Sequence, residues 1–322
     1  MKQSVVRSMK RQVATDEEAR GVVALRAELA RKIAAHARTA GEHATPIPGL
    51  TLYRRSDTTP CYPATYEPSL NVFLQGQKRI TLGSTTYLCD GSTFLLSSLD
   101  LPVVSQIVQA SEAVPLLSML LKLDMLSVRE ILNGVEFRPQ NGSSEARGLA
   151  IGTTTADLLK PCSRLLDLLD APEDIPFLSS LIQREIVYRL LRGPQGARLR
   201  AIATLGDQSH RTTKAIAWLR DNYREPLRLE ELAEVARMGV STLHHHFRAL
   251  TAMSPLQYQK QLRLVAARER MLIEGLDAAS AAFEVGYESP SQFNREYKRF
   301  FGQPPMRDVK TRRFSESTTL RD

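Results

Sequence analysis

Two helix-turn-helix patterns stand in tandem between Leu229 and Pro305, and they constrain the fold of this chain more than any other stretch. The first runs from Leu229 to Arg248, and the second runs from Ala278 to Lys298. In each pattern a short helix and a tight turn precede a second helix whose outer face is polar. This is the geometry that lays one helix in a DNA major groove. The sequence therefore predicts a DNA-binding domain with two recognition helices.

A continuous helix is predicted between the two patterns, from Pro255 to about Ile273. Ser254 precedes it and Ser289 precedes the second recognition helix, each followed by Pro and, three residues after Ser, by Gln. This order predicts a capping box at both helix starts. At 1.5 Å per residue the spacer helix is about 28 Å long. That length suits recognition helices set one DNA turn, about 34 Å, apart.

The charge is distributed unevenly along the chain, which carries a net charge of +8. Residues 1–38 hold 9 Lys and Arg against 4 Asp and Glu, residues 39–199 hold 14 against 16, and residues 200–322 hold 20 against 15. A basic C-terminal third suits a polyanionic partner, because binding releases counterions. A solvated surface rich in Lys and Arg would give the same counts, so charge alone does not decide between the two.

The cysteines and the apolar runs indicate the compartment. Cys61, Cys89 and Cys162 are far apart and form no CxxC pair, which suits a reducing environment and predicts no disulfide. We find no signal-peptide pattern near the N-terminus and no apolar run long enough to cross a bilayer. The expected protein is soluble and cytoplasmic, without a membrane partner.

The segment from residue 45 to about 114 alternates short apolar runs with turn residues, which predicts a small β-sandwich or barrel. Such barrels often hold a small ligand. Cys89 is either a sensing thiol or a buried structural cysteine. The candidate pocket residues, which plain core packing would explain equally, are Tyr53, Phe73, Lys78, Tyr87 and Cys89.

Histidine placement argues against a metal-dependent enzyme. None of the six histidines lies in the predicted barrel, although such an enzyme usually needs two or three histidine ligands there. The run at residues 244–246 cannot converge on one ion, because successive helical residues point about 100° apart. The sequence therefore predicts no catalytic residue, no metal and no other cofactor.

Helices are predicted on both sides of the barrel. An amphipathic helix at residues 17–40 follows a basic leader, and leucine-rich helices cover residues 155–169 and 177–191. The leucine-rich pair could pack either on the barrel or on a second subunit, which leaves a homodimer open.

Many positions of the two patterns match one known family. In the first pattern they are Leu232, Ala233, Leu243, Phe247, Arg248, Thr251, Ser254, Pro255, Leu262 and Arg263, and in the second Ala282, Val285, Gly286, Tyr287, Ser289, Phe293, Arg295, Glu296, Tyr297, Phe301, Gly302, Pro304 and Pro305. With these residues the chain resembles the AraC/XylS family of bacterial transcription regulators. Upstream, residues 47–50, 68–70, 75–78, 101–103, 110–111 and 184–186 are similar to the cupin-like N-terminal domain of one AraC subgroup.

The resemblance implies an α+β multidomain chain. A small cupin-like β-barrel with flanking helices would precede an all-α domain with two helix-turn-helix motifs joined by a long helix. The expected segments are a basic leader and amphipathic helix at 1–44, a cupin-like effector-binding domain at 45–145, a helical dimerisation or linker segment at 146–205, the DNA-binding domain at 206–308, and a flexible tail at 309–322.

The resemblance also implies which side chains face DNA. Arg295 is the best candidate for a base contact, because the two N–H groups of its guanidinium match guanine O6 and N7. The alternatives are a phosphate contact or a salt bridge to Glu296 or Glu288. Gly239 stands where the subgroup usually has Ser, so the helix cap is either Gly239 or Ser241. The implied DNA-facing residues are Ser241, Thr242, His244, His245, Arg248, Ser291, Gln292, Asn294, Arg295 and Lys298.

The expected function is sequence-specific regulation of transcription, controlled by a small molecule in the barrel. The expected partners are double-stranded promoter DNA, a small-molecule effector, and RNA polymerase if the protein is an activator, with a homodimer left open. Two alternatives stay open at this point. One is a constitutive DNA-binding protein whose barrel serves only for dimerisation, and the other is a barrel enzyme fused to a DNA-binding domain.

Overall fold

A computed structural model describes residues 2–137, 147–204 and 208–311 of the chain. The first half is rich in β-strands and the second half is helical. In the described residues the strands are β1 (Gly41–Ala44), β2 (Leu50–Arg55), β3 (Tyr62–Tyr66), β4 (Ser69–Gln75), β5 (Gln77–Leu82), β6 (Thr85–Asp90), β7 (Thr93–Ser97), β8 (Leu101–Gln109), β9 (Leu116–Lys122) and β10 (Leu149–Thr153).

The strands form two sheets. The larger has the order β1-β2-β9-β4-β7-β10 and the smaller has the order β3-β8-β5-β6, with every pair antiparallel. The predicted β-rich first domain is confirmed, but the described strands do not close into one barrel. They form two open sheets that face each other, because a sheet can also bury its apolar face against a second sheet.

The helices flank the larger sheet and then form the second half of the chain. They are α1 (Lys2–His36), α2 (Met125–Gly134), α3 (Ala156–Asp167), α4 (Ile175–Arg192), α5 (Gly196–Ala203), α6 (Gln208–Asp221), α7 (Leu229–Ala236), α8 (Val240–Thr251), α9 (Pro255–Ile273), α10 (Ala278–Glu284), α11 (Pro290–Phe301) and α12 (residues 305–311). None of the described helices is long and apolar enough to cross a membrane.

One apolar core lies between the outer face of the larger sheet and the helices α1, α3 and α4. Leu52, Val72 and Met119 point outward from alternate strand positions and are buried under Leu29 and Ile33 of α1. Most leucines of α3 and α4 are buried in the same core, so this helix pair packs on the β domain, while Phe177 and Leu181 of α4 are exposed. Of the two placements open for this helix pair, packing on the β domain is the one observed.

Several segment boundaries differ from the expected ones. The first helix begins at Lys2 and ends at His36, and β1 follows it inside the expected leader. β10 lies inside the expected helical segment and pairs with β7. Both short strands complete the larger sheet, β1 beside its neighbour β2 and β10 by a long-range pairing that local periodicity does not reveal. The expected boundaries at 145/146 and 205/206 fall outside the described residues.

A second core continues from the space between the sheets into the first helix-turn-helix unit. Phe73, Ile80 and Leu101 belong to it from the β domain, and Phe247 and Tyr258 belong to it from the helices. A third core holds the second unit together.

The third core reaches past the expected end of the DNA-binding domain. Val309 of α12 is buried in it beside Phe293 and Tyr297. The expected tail at 309–322 therefore begins inside a packed helix, and its residues 312–322 lie outside the described part of the chain.

Candidate nucleic-acid interface and effector cavity

The first helix-turn-helix unit consists of α7, a turn and α8, as predicted. Arg237 adopts a left-handed conformation with φ of 52°, and Met238 donates its amide to the carbonyl of Ala233 at 3.0 Å, which ends α7. Gly239 is the N-cap of α8 and provides no side-chain bond, so of the two predicted caps Gly239 is the one used.

The inner and outer faces of α8 are clearly separated. Leu243 and Phe247 are fully buried, and the Phe247 ring meets Tyr258 edge-on at 5.5 Å. His244 is half-buried. The outward, exposed side chains among those expected to face DNA are Ser241, Thr242, His245 and Arg248.

The second unit repeats this arrangement with α10 and α11. The Asp277 carboxylate caps α10 by accepting the amides of Ala279 and Ser280 at 2.8 and 3.0 Å. Gly286 supplies a φ of 90° in the turn, and a Cβ there would lie 2.1 Å from the carbonyl oxygen of Arg224. Only glycine fits so close an approach in this conformation.

The two predicted capping boxes have different outcomes. At α9 both bonds are present, because Ser254 accepts the amide of Gln257 and the Gln257 side chain accepts the amide of Ser254. At α11 the Ser289 hydroxyl accepts the amide of Gln292 at 3.3 Å, but the Gln292 side chain donates to Glu296 instead. The second box is therefore half-formed: the Gln292 amide donates to the Glu296 carboxylate one turn further on, and its oxygen does not accept the Ser289 amide.

The outer face of α11 carries the other residues expected to face DNA. Phe293 and Tyr297 are fully buried on the inner face. Gln292 is half-buried and held by Glu296. The exposed side chains among the expected set are Ser291, Asn294, Arg295 and Lys298.

Arg295 forms no ion pair with any residue that the structure describes. Its neighbour Glu296 is occupied by Lys260 at 2.6 Å and by the Tyr287 hydroxyl at 2.8 Å. Burial acts to raise the pKa of Glu296, but the hydrogen bonds from Lys260, Tyr287 and Gln292 outweigh it, and the pKa is lowered. The carboxylate therefore stays ionised within the domain, and the Arg295 guanidinium points to solvent.

The two units are joined by more than the spacer helix. Arg263 of α9 donates from Nε to the carbonyl of Tyr223 at 2.6 Å and from Nη1 to the carbonyl of Gly286 at 2.6 Å. Its Nη2 donates to the carbonyls of Arg224 and Glu225, both at 2.9 Å. One guanidinium thus connects the loop after α6 to the turn of the second unit. No feature of the sequence indicated this role.

A cavity of about 390 Å³ lies between the two sheets of the β domain. Both sheets supply its walls, and charged residues stand at its mouth, where Lys122 pairs with Glu67 at 2.6 Å. The lining residues include Glu42, Tyr53, Arg55, Tyr62, Tyr66, Glu67, Asn71, Lys78, Ile107, Leu116, Ser118, Leu120 and Lys122.

Of the five predicted pocket residues, Tyr53 and Lys78 line this cavity. Phe73 and Cys89 are buried in the core between the sheets, and the Tyr87 hydroxyl donates to the carbonyl of Leu149 at 3.3 Å. These three lie outside the cavity because their strand positions point into packed layers. Burial raises the pKa of the Cys89 thiol to about 12, so it is the buried structural cysteine of the two alternatives.

Two polar groups in the cavity are candidates for contacts with a ligand. The Lys78 Nζ lies 5.8 and 5.6 Å from the ring centroids of Tyr62 and Tyr66 and interacts with the side chains of both tyrosines, and no carboxylate of the described residues pairs with it. Asn71 is only 5% exposed, and its Oδ1 has no hydrogen-bond partner in the described part of the chain. Sequence reasoning missed Tyr62, Tyr66 and Asn71, although the alternation along β4 is a signal that could have indicated Asn71.

The β domain contacts the first helix-turn-helix unit directly. The Asp100 carboxylate accepts from Arg220 of α6 at 2.7 Å, and its carbonyl accepts from the Tyr258 hydroxyl at 2.7 Å. In the turn between β5 and β6, Gly83 packs so closely on Ala252 that a Cβ would lie 2.7 Å from the Ala252 carbonyl oxygen. β5 thus carries Lys78 near one end and this contact at the other.

Known proteins match both halves of the chain. The family model described as the AraC-type transcriptional regulator N-terminus matches residues 46–198, and a helix-turn-helix domain model matches residues 232–310. Among curated relatives, the HTH-type transcriptional activator RhaS of Yersinia pestis (strain Pestoides F) is 31% identical over 142 residues, which are 44% of this chain and 49% of the relative. The chain thus spans about half the length of the curated relatives it matches.

Solved structures share the fold across both domains. A crystal structure of ToxT from Vibrio cholerae superposes with a TM-score of 0.54 at 12% identity, covering 81% of this chain and 97% of ToxT. Unsaturated fatty acid bound wild-type ToxT from Vibrio cholerae strain SCE256 has a TM-score of 0.50 at 9% identity, covering 81% of this chain and 93% of ToxT. At these identities the likeness concerns the fold alone.

Proposed function

The chain belongs to the AraC/XylS family of transcriptional regulators, and from that premise we propose that α8 and α11 read two adjacent major grooves of its operator while the cavity of the β domain binds a small effector. The observation that carries the DNA-reading part is the outer face of each recognition helix. Both faces expose polar and cationic side chains, and Arg248 and Arg295 have no ion-pair partner among the described residues. Exposed arginine forks suit guanine edges and phosphates.

The connection between the two helix-turn-helix units supports DNA binding by both units as one rigid body. α9 extends for 19 residues, and its start is fixed by a complete capping box. Arg263 adds bonds to three carbonyls in the loop before α7 and to one in the turn of the second unit. A rigid link of this kind fixes the distance between the recognition helices, so one chain reads two half-sites at a set spacing.

Replacing Arg295 by Ala tests the base contact. We expect specific binding to weaken by about 1–3 kcal/mol and one base preference to relax, with little change on unrelated DNA. Fluorescence anisotropy would compare a duplex selected in vitro by the full chain with an unrelated duplex. Arg31→Ala, which removes an exposed arginine from α1, is the matched control. Equal losses on both duplexes would mean that Arg295 contacts only phosphate.

The cavity supports an effector that is a small organic anion. Lys78 offers a cation without a carboxylate partner among the described residues, and the cavity volume falls in the range that holds small ligands. An anionic oxygen would pair with Lys78, and a hydroxyl or amine donor on the same ligand would satisfy the Asn71 Oδ1. Tyr53, Tyr62 and Tyr66 supply flat walls for an apolar body.

A paired ligand screen tests the effector class. We expect some small organic carboxylates to raise the melting temperature of the full chain, whereas their uncharged primary amides do not. The Lys78→Met variant, which keeps the side-chain length, should lose the response to the carboxylates. Carboxylate and amide shifts of equal size, or an unchanged shift in Lys78→Met, would contradict the anion assignment.

The contacts between the domains offer a route from the cavity to DNA. Lys78 and Gly83 lie on one strand and its turn, and Gly83 packs on the C-terminal end of α8 at Ala252. Tyr66, a cavity residue, pairs in register with Leu101, which follows Asp100. A ligand that favours one arrangement of these strands would therefore change the position of the first unit. Such coupling requires that the ligand bind the two arrangements with different affinity.

A further inference from the structure

A second, open cavity of about 360 Å³ lies where the β domain meets the first recognition helix. Ser84, Thr85 and Arg147 line it from the β domain. His245 and Arg248 line it from α8, together with two alanines. Among the described residues that line it, the charged side chains are those of the two arginines.

Arg147 is held against α8 by bonds on both sides of the junction. The amide of the next residue, Gly148, donates to the carbonyl of Leu250 at 2.7 Å. That carbonyl lies in the last turn of α8, where helix carbonyls lack intrahelical partners. The Arg147 guanidinium itself donates from Nη1 to the hydroxyl of Thr85 in β6. The guanidinium is therefore positioned beside the recognition helix and is not a free surface group.

The cavity sits at the C-terminal end of the outward stripe of α8. Ser241, His245, Arg248 and Ala252 follow one another at spacings of three or four residues, so they share one face of the helix. In helix-turn-helix complexes the N-terminal residues of the recognition helix meet the base edges. If the N-terminal end of α8 lies deep in the groove, its C-terminal end lies at the edge of the groove, close to the phosphate backbone.

We propose that the β domain supplies a DNA contact of its own, in which Arg147, beside Arg248, binds a backbone phosphate at the edge of the groove read by α8. The proposal rests on the proposed function, because it takes α8 as the helix that enters the groove. Arginine suits this role, since its planar fork can hold two phosphate oxygens at once. Phosphate contacts of this kind set position on the duplex and carry no sequence information.

Through this contact the β domain would bind the operator directly. Arg147 lies two residues before β10, which pairs with β7 in the larger sheet. A change in the β domain would then alter DNA affinity through Arg147 as well as through the position of α8. The first helix-turn-helix unit would accordingly bind more tightly in the full chain than its own side chains allow.

The salt dependence of binding tests the proposal in the full chain. The variants are Arg147→Gln, which keeps a hydrogen-bond donor for Thr85 but removes the charge, and Arg147→Lys, which keeps the charge. We expect Arg147→Gln to weaken binding about tenfold at low salt, equally on a selected and an unrelated duplex, and to reduce the slope of log affinity against log salt by about one. Arg147→Lys should keep the wild-type slope. Arg31→Ala on α1 controls for the loss of net charge.

Two results would overturn the assignment. An unchanged slope in Arg147→Gln would show that no phosphate is lost, and tighter binding would show that this part of the β domain obstructs DNA. Arg295→Ala and Arg248→Ala, measured on the same duplexes, separate the two levels of the account. If both also leave binding unchanged, the proposed DNA-reading surface fails together with the Arg147 contact. If both weaken binding, only the Arg147 contact fails.

Discussion

Replacing Arg263 by Met is expected to lower the affinity for a selected DNA site by about 100-fold, the scale at which two linked binding modules lose their joint effect. The guanidinium donates to the carbonyls of Tyr223, Arg224 and Glu225 in the loop that leads into α7, and to the carbonyl of Gly286 in the turn of the second unit. Met fills a similar space but donates no hydrogen bond. Each unit would then keep its fold, but the distance and angle between the two recognition helices would no longer be fixed.

Two further variants show whether the geometry of the fork is the cause. Arg263→Lys keeps the charge, but one ammonium cannot reach four carbonyls, so it should rescue little. Gln259→Met removes a single bond to the Glu225 carbonyl and should cost less than about tenfold. Circular dichroism establishes that each variant is folded. A folded Arg263→Met variant that binds within about threefold of wild type would contradict the rigid connection.

Replacing Asp308 by Ala is expected to destabilise the second unit by about 3–5 kcal/mol, because it removes the carboxylate that pairs with a buried guanidinium. The carboxylate accepts from Arg268 Nη2 at 2.9 Å and from the Tyr297 hydroxyl at 2.9 Å. Arg268 and Asp308 are 6% and 9% exposed, so water cannot replace the lost bonds. The melting temperature should fall by about 10 °C.

The double variant Arg268→Met with Asp308→Leu is the matched control. It removes both charges together, and apolar replacement of a buried ion pair is often neutral or stabilising. We therefore expect it to recover most of the stability lost in Asp308→Ala. A melting temperature of Asp308→Ala within about 2 °C of wild type would contradict the buried-pair account. A double variant as unstable as Asp308→Ala would place the cost in packing around Phe301 instead.

The sequence was sufficient for most of the DNA-reading half, because its signals are local. The limits of α7 and α9 follow from apolar periodicity and, for α9, from Ser254 and Pro255 at its start. The half-formed box at Ser289 shows the limit of this reasoning. The Gln292 side chain could accept the Ser289 amide or donate to Glu296, and only the folded position of Glu296 selects the second bond.

The β domain was less predictable, because its strands pair over long distances. β3 and β9 lacked the alternation that marks a half-buried strand. β9 is buried on both faces and forms a nearly continuous apolar run. The cavity residues could be predicted only in part, because Tyr62 and Lys78 come together on separate strands of the smaller sheet and Asn71 lines the same cavity from the larger sheet. Asp100 and Gly148 contact the DNA-binding half of the chain. The sequence did not indicate these contacts, because each depends on a partner in the other domain.

If the two helix-turn-helix units bind two adjacent grooves as one rigid body, the spacing of their binding sites on DNA is fixed. In vitro selection of random duplex DNA by the purified full chain measures that spacing. We expect selected sites with two preferred blocks one helical turn, about 10 base pairs, apart, and a steep loss of affinity when about five base pairs are inserted between them. Selected sites with a single block, or with two blocks at variable spacing, would contradict binding as one rigid body.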